Sequence, residues 1–357
     1  MPTAKLRQRV HYAHASDGAR LAWAESGDGP VVVKAANWLS HLEYEWESPV
    51  WRHWIQFFSE HFRFIRFDER GCGMSEWKHD DLSVERWTAD LETVIDAARP
   101  DGPVTLLGIS QGASTCISYA VRHPERVARM VFYGSYARGK LRRGSEDTER
   151  EYRAIIDLAR VGWGRDNPAF RQVFTSRFIP GATHEQVQWF NELCLKTATG
   201  DIAAALFEAR AVMDVTGLLG QVQAPTLVLH ARGDEVTSID EGRLLAAGIA
   251  GAEFVELDSR NHILLEHEPA WRRFQEAVLD FLGAGRRATD ESVFASLSSR
   301  ERQVLALMTE GLSNTDIAER LAISEKTVRN HTSNVFDKLG VWSRAQAIVF
   351  ARDHGFR

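Results

Sequence analysis

Over about its first 280 residues this chain alternates short apolar or β-branched runs with amphipathic stretches, and near residue 283 the alternation stops. That switch constrains the fold most. Strands alternating with helices form a mostly parallel sheet covered on both faces, whereas a helix-only tail must build a core of its own. Residues 9–13 and 20–25 flank Ser16-Asp17-Gly18, a hairpin signal. Runs 31–33, 62–67, 104–109, 127–133, 225–230 and 253–257 are predicted strands, the second interrupted by Arg63 and Arg66. Residues 82–98, 112–122 and 270–282 have helical spacing. The stretch 140–219 breaks the pattern: it reads as helical and aromatic-rich, with Trp163, Phe174, Phe178 and Phe207 among others. It is expected to be a helical cap inserted in the sheet domain, ordinary core helices being the alternative. The predicted organisation is a domain over 1–283, a polar Gly-containing linker over 284–294, and a small all-α domain over 295–357.

At 357 residues, 44% hydrophobic and 26% charged, the chain has material for two cores. Cys72, Cys116 and Cys194 are far apart with no paired spacing, which fits a reducing compartment and argues against disulfides or a zinc site. No apolar run approaches the length of a membrane span, and the first fourteen residues lack the apolar segment of a signal peptide. The expected location is cytoplasmic, with no membrane partner. Net charge is −6, and residues 290–357 hold nine Lys/Arg and nine Asp/Glu. The body is therefore acidic and the tail neutral, so any nucleic-acid contact must be local rather than a bulk field effect.

Gly108-Ile109-Ser110-Gln111-Gly112 sits between a predicted strand and a predicted helix. A nucleophilic serine needs its hydroxyl thrust out on a sharp strand-to-helix turn, which flanking glycines permit. Asp234 follows the strand 225–230 and His262 the strand 253–257. The order Ser, acid, His at successive strand ends suits a relay. His262 takes the Ser110 proton and Asp234 holds the imidazole. Glu235 is a rival acid, and a surface loop histidine is the bland alternative for His262. Gly71-Cys72-Gly73 is no nucleotide fingerprint, because Glu76 stands where a third glycine belongs, and no Walker or His-Glu-x-x-His sequence occurs.

With these motifs, residues 8–284 resemble the α/β-hydrolase superfamily with a helical cap. Asp68-Glu69-Arg70-Gly71-Cys72-Gly73-Met74-Ser75 is similar to the family's loop after strand four. The resemblance implies acyl transfer through Ser110, Asp234 and His262 without a cofactor. One departure stands out. Lys34-Ala35-Ala36-Asn37-Trp38-Leu39 replaces the family's usual His-Gly, which shapes half of the oxyanion hole. The Gln111 main-chain N–H is expected to supply one donor, and the backbone at Asn37 or Trp38 the other.

In the tail, Ser298 caps a helix that Gly311 ends, 314–321 is a short helix, and Ala322-Ile323-Ser324 is a turn into a helix over 325–339. That last helix buries Val328, Val335, Phe336 and Leu339 and presents Lys326, Thr327, Arg329, Asn330, Ser333 and Asn334, groups that bond base edges and phosphates. A small helical bundle with a polar face is the plain alternative. Residues 297–352 resemble the LuxR/GerE-type helix-turn-helix, through Arg300-Glu301, Gly311-Leu312-Ser313-Asn314, Thr327-Val328, His331 and Lys338-Leu339-Gly340. The resemblance implies a recognition helix over 325–338 in the major groove of an operator half-site. Ser313, Asn314 and Lys338 join the DNA-facing set, and the fourth helix serves dimerisation. His331 is expected to be structural. A neutral domain gains enough phosphate contacts only in two copies, which independently favours a homodimer.

The combined expectation is a transcriptional regulator. Its α/β-hydrolase-like domain receives a small apolar or acyl ester or lactone-type signal, against lid aromatics, and controls DNA binding by the tail. The front domain is expected to turn its signal over, or to be a slow receptor that kept the geometry. A metabolic hydrolase with an accessory tail is the third alternative.

Overall fold

A computed structural model describes residues 6–78, 81–144, 146–283, 294, 296–353 and 356. The chain divides into two compact units, Met1–Val278 and Leu279–Arg357. Of the expected linker 284–294, only Phe294 lies among the described residues.

The first unit is built on eight strands: β1 (Arg9–His14), β2 (Arg20–Ser26), β3 (Val31–Lys34), β4 (Arg63–Phe67), β5 (Val104–Ile109), β6 (Val127–Tyr133), β7 (Thr226–Ala231) and β8 (Glu253–Leu257). They form one sheet in the order β1-β2-β4-β3-β5-β6-β7-β8. The β1–β2 and β2–β4 pairs are antiparallel and all others parallel. The central strands are apolar because helices cover both their faces. Val33, Ile65, Leu106 and Val228 are fully buried.

The helices of this unit are α1 (Leu42–Trp46), α2 (Arg52–His61), α3 (Val84–Ala98), α4 (Gly112–Arg122), α5 (Glu146–Gly162), α6 (Ala169–Phe178), α7 (His184–Thr197), α8 (Gly200–Val212), α9 (Ile239–Gly248) and α10 (Pro269–Leu282). The sequence reading had no α1, α2 or α9. Helix α2 escapes a search for a clean stripe because it buries His53 and Ser59 beside Trp54, Ile55, Phe57 and Phe58. The arginines that interrupt β4 are held by carboxylates. Arg66 is buried and meets Glu45 of α1 at 2.7 Å, and Arg63 meets Glu25 of β2.

Helices α5–α8 stand between β6 and β7, where the cap was expected. Thr183 and Thr199 cap α7 and α8 through hydroxyl oxygens. Many of the cap aromatics are core: Trp163 and Phe190 are about 1% exposed. Trp163 also stacks on Trp38, in the loop after β3, at 5.1 Å. Arg210 of α8 forms a buried ion pair with Glu69, in the loop after β4. Removing one member of such a pair costs about 3–5 kcal/mol, so this contact fastens the cap.

The second unit holds α11 (Ser299–Thr309), α12 (Asn314–Leu321), α13 (Glu325–Leu339) and α14 (Arg344–Asp353). Its own core contains Phe294, Leu305, Met308, Ile317, Val328, Val335 and Ala347. Ser298, Ser313 and Ser324 cap α11, α12 and α13. The turn between α12 and α13 passes through Ala322 in a left-handed conformation, φ +53°. Among the described residues, no helix is long and apolar enough to cross a membrane.

Candidate functional site

Strand β5 runs straight into Ser110 and α4. Ser110 adopts φ +55°, a strained value for a residue with a side chain. Its N–H is tied to the Tyr133 carbonyl at 3.0 Å. Gly108 makes the turn possible, because a Cβ there would lie 2.7 Å from the Ala113 Cα. The Gln111 main-chain N–H stands at the start of α4, where helix donors lack intrahelical acceptors.

The loops after β7 and β8 bring Asp234 and His262 together. Asp234 Oδ2 accepts from His262 Nδ1 at 2.6 Å, while Oδ1 accepts from the Val236 and Thr237 N–H groups at 2.8 and 2.9 Å. Nδ1 therefore carries a proton, and Nε2 is left for the nucleophile. Gly134 allows this packing, since a Cβ there would be 3.2 Å from the imidazole. His230, which the sequence reading passed over, donates from Nε2 to the Thr237 carbonyl at 3.0 Å. Burial pushes its pKa down. Although Nε2 is also 3.7 Å from Asp234 Oδ2, a neutral ring is no counter-ion there, and it steadies the loop that holds Asp234. Glu235 is excluded as the acid because it points to solvent and pairs with Arg260 at 2.5 Å.

The third link is open. His262 Nε2 is buried without a hydrogen-bond partner among the described residues. Ser110 shares the cleft wall with Tyr136, a residue the sequence reading did not single out. Burial raises the Tyr136 pKa, with Arg143 and Arg210 pulling the other way.

The expected oxyanion hole is also partly filled. Asn37 is turned inward and its Oδ1 accepts from the buried Lys34 ammonium. Burial pushes Lys34 down to about 8, against the pull of Glu45. The Trp38 N–H, one expected donor, is engaged. With its carboxamide oriented to match its neighbours, Gln111 accepts from the Trp38 N–H at 2.6 Å and from Arg210 Nη2 at 3.3 Å. The Gln111 side chain thus occupies the donor that its own backbone was expected to work beside. Above Ser110 opens a small cleft of about 70 Å³, walled by Phe174, Phe178 and Phe207 of the cap and by several cationic side chains. Phe178 also sits edge-on to His262 at 5.2 Å.

The second unit presents the other candidate site. Lys326, Arg329, Asn330, Ser333 and Asn334 are exposed along α13, and the opposite side, with Val328, Thr332 and Val335, is buried. Arg329 is paired with Glu325 at 3.6 Å. Thr327 is half-buried, and its N–H and hydroxyl are bonded to the Ser324 hydroxyl. Three expected DNA-facing residues have partners within the unit, Ser313 and Lys338 while remaining exposed. Lys338 bonds Glu301 of α11 at 2.7 Å. Ser313 forms a capping box with Asp316. Asn314 accepts from Arg344 at 3.1 Å. His331 is half-buried, as a structural residue would be.

The family model for the alpha/beta hydrolase fold matches residues 43–269. The model for bacterial regulatory proteins of the luxR family matches residues 295–351. The AB hydrolase superfamily protein YisY of Bacillus subtilis is 25% identical over 260 residues, which are 71% of this chain and 92% of that protein. The transcriptional regulatory protein DegU of Brevibacillus brevis is 52% identical over 60 residues, 17% of this chain, and the chain spans 25% of DegU's length. Among solved structures, the enol-lactonase of Burkholderia xenovorans LB400 superposes with a TM-score of 0.62 at 24% identity, covering 76% of this chain and all of that one. That likeness bears on the fold.

Proposed function

Because the chain belongs to the alpha/beta hydrolase fold family and carries a luxR-family regulatory domain, we propose that it is a transcriptional regulator whose hydrolase-like domain binds and cleaves a small ester or lactone. In this reading the Ser110 hydroxyl attacks the acyl carbon as His262 takes its proton. The C–O bond of the substrate breaks, and the leaving alcohol receives that proton. Water then attacks the acyl-Ser110 ester by the same relay, releasing the acid. Asp234 holds the imidazole for both steps. The occupied or empty cleft biases DNA binding by α13, with Lys326, Arg329, Asn330, Ser333 and Asn334 toward a major groove. Exposed Trp342 and Val349, 88% and 56% accessible, suit a second copy packed against α14. A cytoplasmic location fits a DNA partner.

The observation that carries the reading is the 2.6 Å Asp234–His262 bond between the loops after β7 and β8, with Ser110 on the turn after β5. Labelling with a serine-reactive fluorophosphonate tests it. Wild type takes the label and Ser110→Ala does not; an unlabelled wild type ends the claim of a working nucleophile. The DNA half is tested by footprinting the promoter of the protein's own gene, where Arg329→Ala is expected to weaken protection about tenfold or more.

Two findings favour the slower alternative, a receptor that rarely turns over. The Trp38 N–H is capped by Gln111 and His262 Nε2 is unbonded. Catalytic hydrogen bonds often tighten only around substrate, so the second of these is weaker support than the first.

A further inference from the structure

The cleft above Ser110 is lined by four cationic side chains, Lys140, Arg143, Arg177 and Arg210, and by no carboxylate. Two of the four are occupied: Arg210 with Glu69, and Arg177 with Glu151 at 3.2 Å on the surface. Arg143 is not. Its side chain is 9% exposed, and its Nε and Nη1 have no hydrogen-bond partner among the described residues. The nearest carboxylate, Glu241, lies 3.5 Å from Nη1 without hydrogen-bond geometry, and it already receives Arg138 at 3.1 Å. The guanidinium lies 4.5 Å over the Tyr136 ring, and Tyr136 and Ser110 line the same cleft. A buried guanidinium with two unmatched donors thus stands one tyrosine ring from the wall that holds the serine. Lys140 is half-buried on the same wall; burial lowers its pKa, and nearby Arg143 and Arg177 push the same way. Buried donors left unmatched are costly unless something completes them.

We propose that the ligand of this cleft is an anion: an acyl compound bearing a carboxylate remote from the reacting group. The carboxylate seats on Arg143 with Lys140 beside it. The apolar body lies against Phe174 and Phe207, and the acyl carbon faces Ser110. This rests on the cleft being the ligand site of the proposed regulator, and it changes the expected ligand from merely apolar to amphiphilic. Arg143 suits a carboxylate better than a lysine would, because its planar guanidinium stacks on Tyr136 and still presents donors at its edge.

The test is binding, so it does not depend on turnover. Full-length protein is titrated by calorimetry with 4-phenylbutyrate and with 4-phenylbutyramide, which share a body and differ in charge. The carboxylate is expected to bind at least about tenfold more tightly. Arg143→Gln is expected to erase the preference, and Lys140→Gln, at a more exposed position, to narrow it. Equal affinities, a preference for the amide, no detectable binding of the carboxylate, or a preference untouched by both substitutions overturns the proposal. The Ser110→Ala protein is expected to keep the preference. A carboxylate preference in a protein that takes no fluorophosphonate label removes the hydrolase claim and leaves this one standing. Labelling without a carboxylate preference does the reverse.

Discussion

At the scale of single residues, Gln111 holds two places at once. In the proposed mechanism its backbone N–H is an oxyanion donor, and its side chain accepts from Trp38, the donor expected opposite. One oxyanion donor contributes about 3–4 kcal/mol to a transition state, or about 100- to 1,000-fold in rate. A carboxamide in that place must be expelled before the second donor can act, which spends part of that stabilisation. Gln111→Ala leaves the backbone donor and frees the Trp38 N–H. It is expected to raise the hydrolysis rate of p-nitrophenyl butyrate about tenfold. An unchanged or lower kcat means that the Gln111 side chain assists the reaction or lies outside it. Much of this site was legible in sequence: Ser110, Asp234 and His262 announce themselves by order along the chain, and the missing His-Gly marks the altered hole. What fills the hole was not legible. Neither the reach of Gln111 to Trp38 nor that of Arg143 to Tyr136 follows from a local pattern, since each depends on how separate loops approach.

Among elements, α11 and α13 are joined by one charged contact that decides what α13 can offer DNA. Glu301 completes the capping box of α11, accepting from the Ser298 N–H at 2.7 Å, and also accepts from Lys338 near the end of α13. The Lys338 bond, helped by Ser298, holds Glu301 down at about 2, against a usual 4.5. A carboxylate whose pKa is depressed on folding stabilises fully above its unfolded value, and that stabilisation is lost as pH falls through the folded one. The helical unit is therefore expected to lose stability as pH drops from about 4.5 toward about 2. Hydrogen exchange of 299–339 in the full chain reports it. Glu301→Gln is expected to start less protected and to show a shallower slope; Asp316, lowered by Ser313, supplies part of the rest. A variant with the wild-type slope refutes this role for Glu301. The same contact explains why Lys338 read as a DNA-facing residue: its spacing fits the face, but its partner lies 37 residues away. Helix α1 was missed for a similar reason, being five residues long and defined by burying Glu45 against Arg66.

For the whole molecule, charge limits how it can hold DNA. The chain carries −6, and residues 290–357 contribute none of it. With Lys338 paired to Glu301, the exposed cations of α13 that no other helix holds are Lys326 and Arg329. The binding constant for duplex DNA falls with salt at a log–log slope of about −0.9 per phosphate neutralised. One copy contacting two phosphates gives a slope of about −2, and a pair on two half-sites about −4. Specific regulators bind far more tightly than two phosphate contacts allow, so the paired state is the one expected on an operator. Fluorescence anisotropy on a labelled promoter fragment, from about 50 to 200 mM salt, measures the slope. A value near −4 that drops toward −2 in Trp342→Asp supports a dimer seated through α14. A slope beyond about −6 would mean that surfaces other than α13 meet the backbone, which the acidic first unit disfavours. In the proposed regulator, the acidic first unit controls DNA binding through whether two neutral readers are held together, not through phosphate contacts of its own.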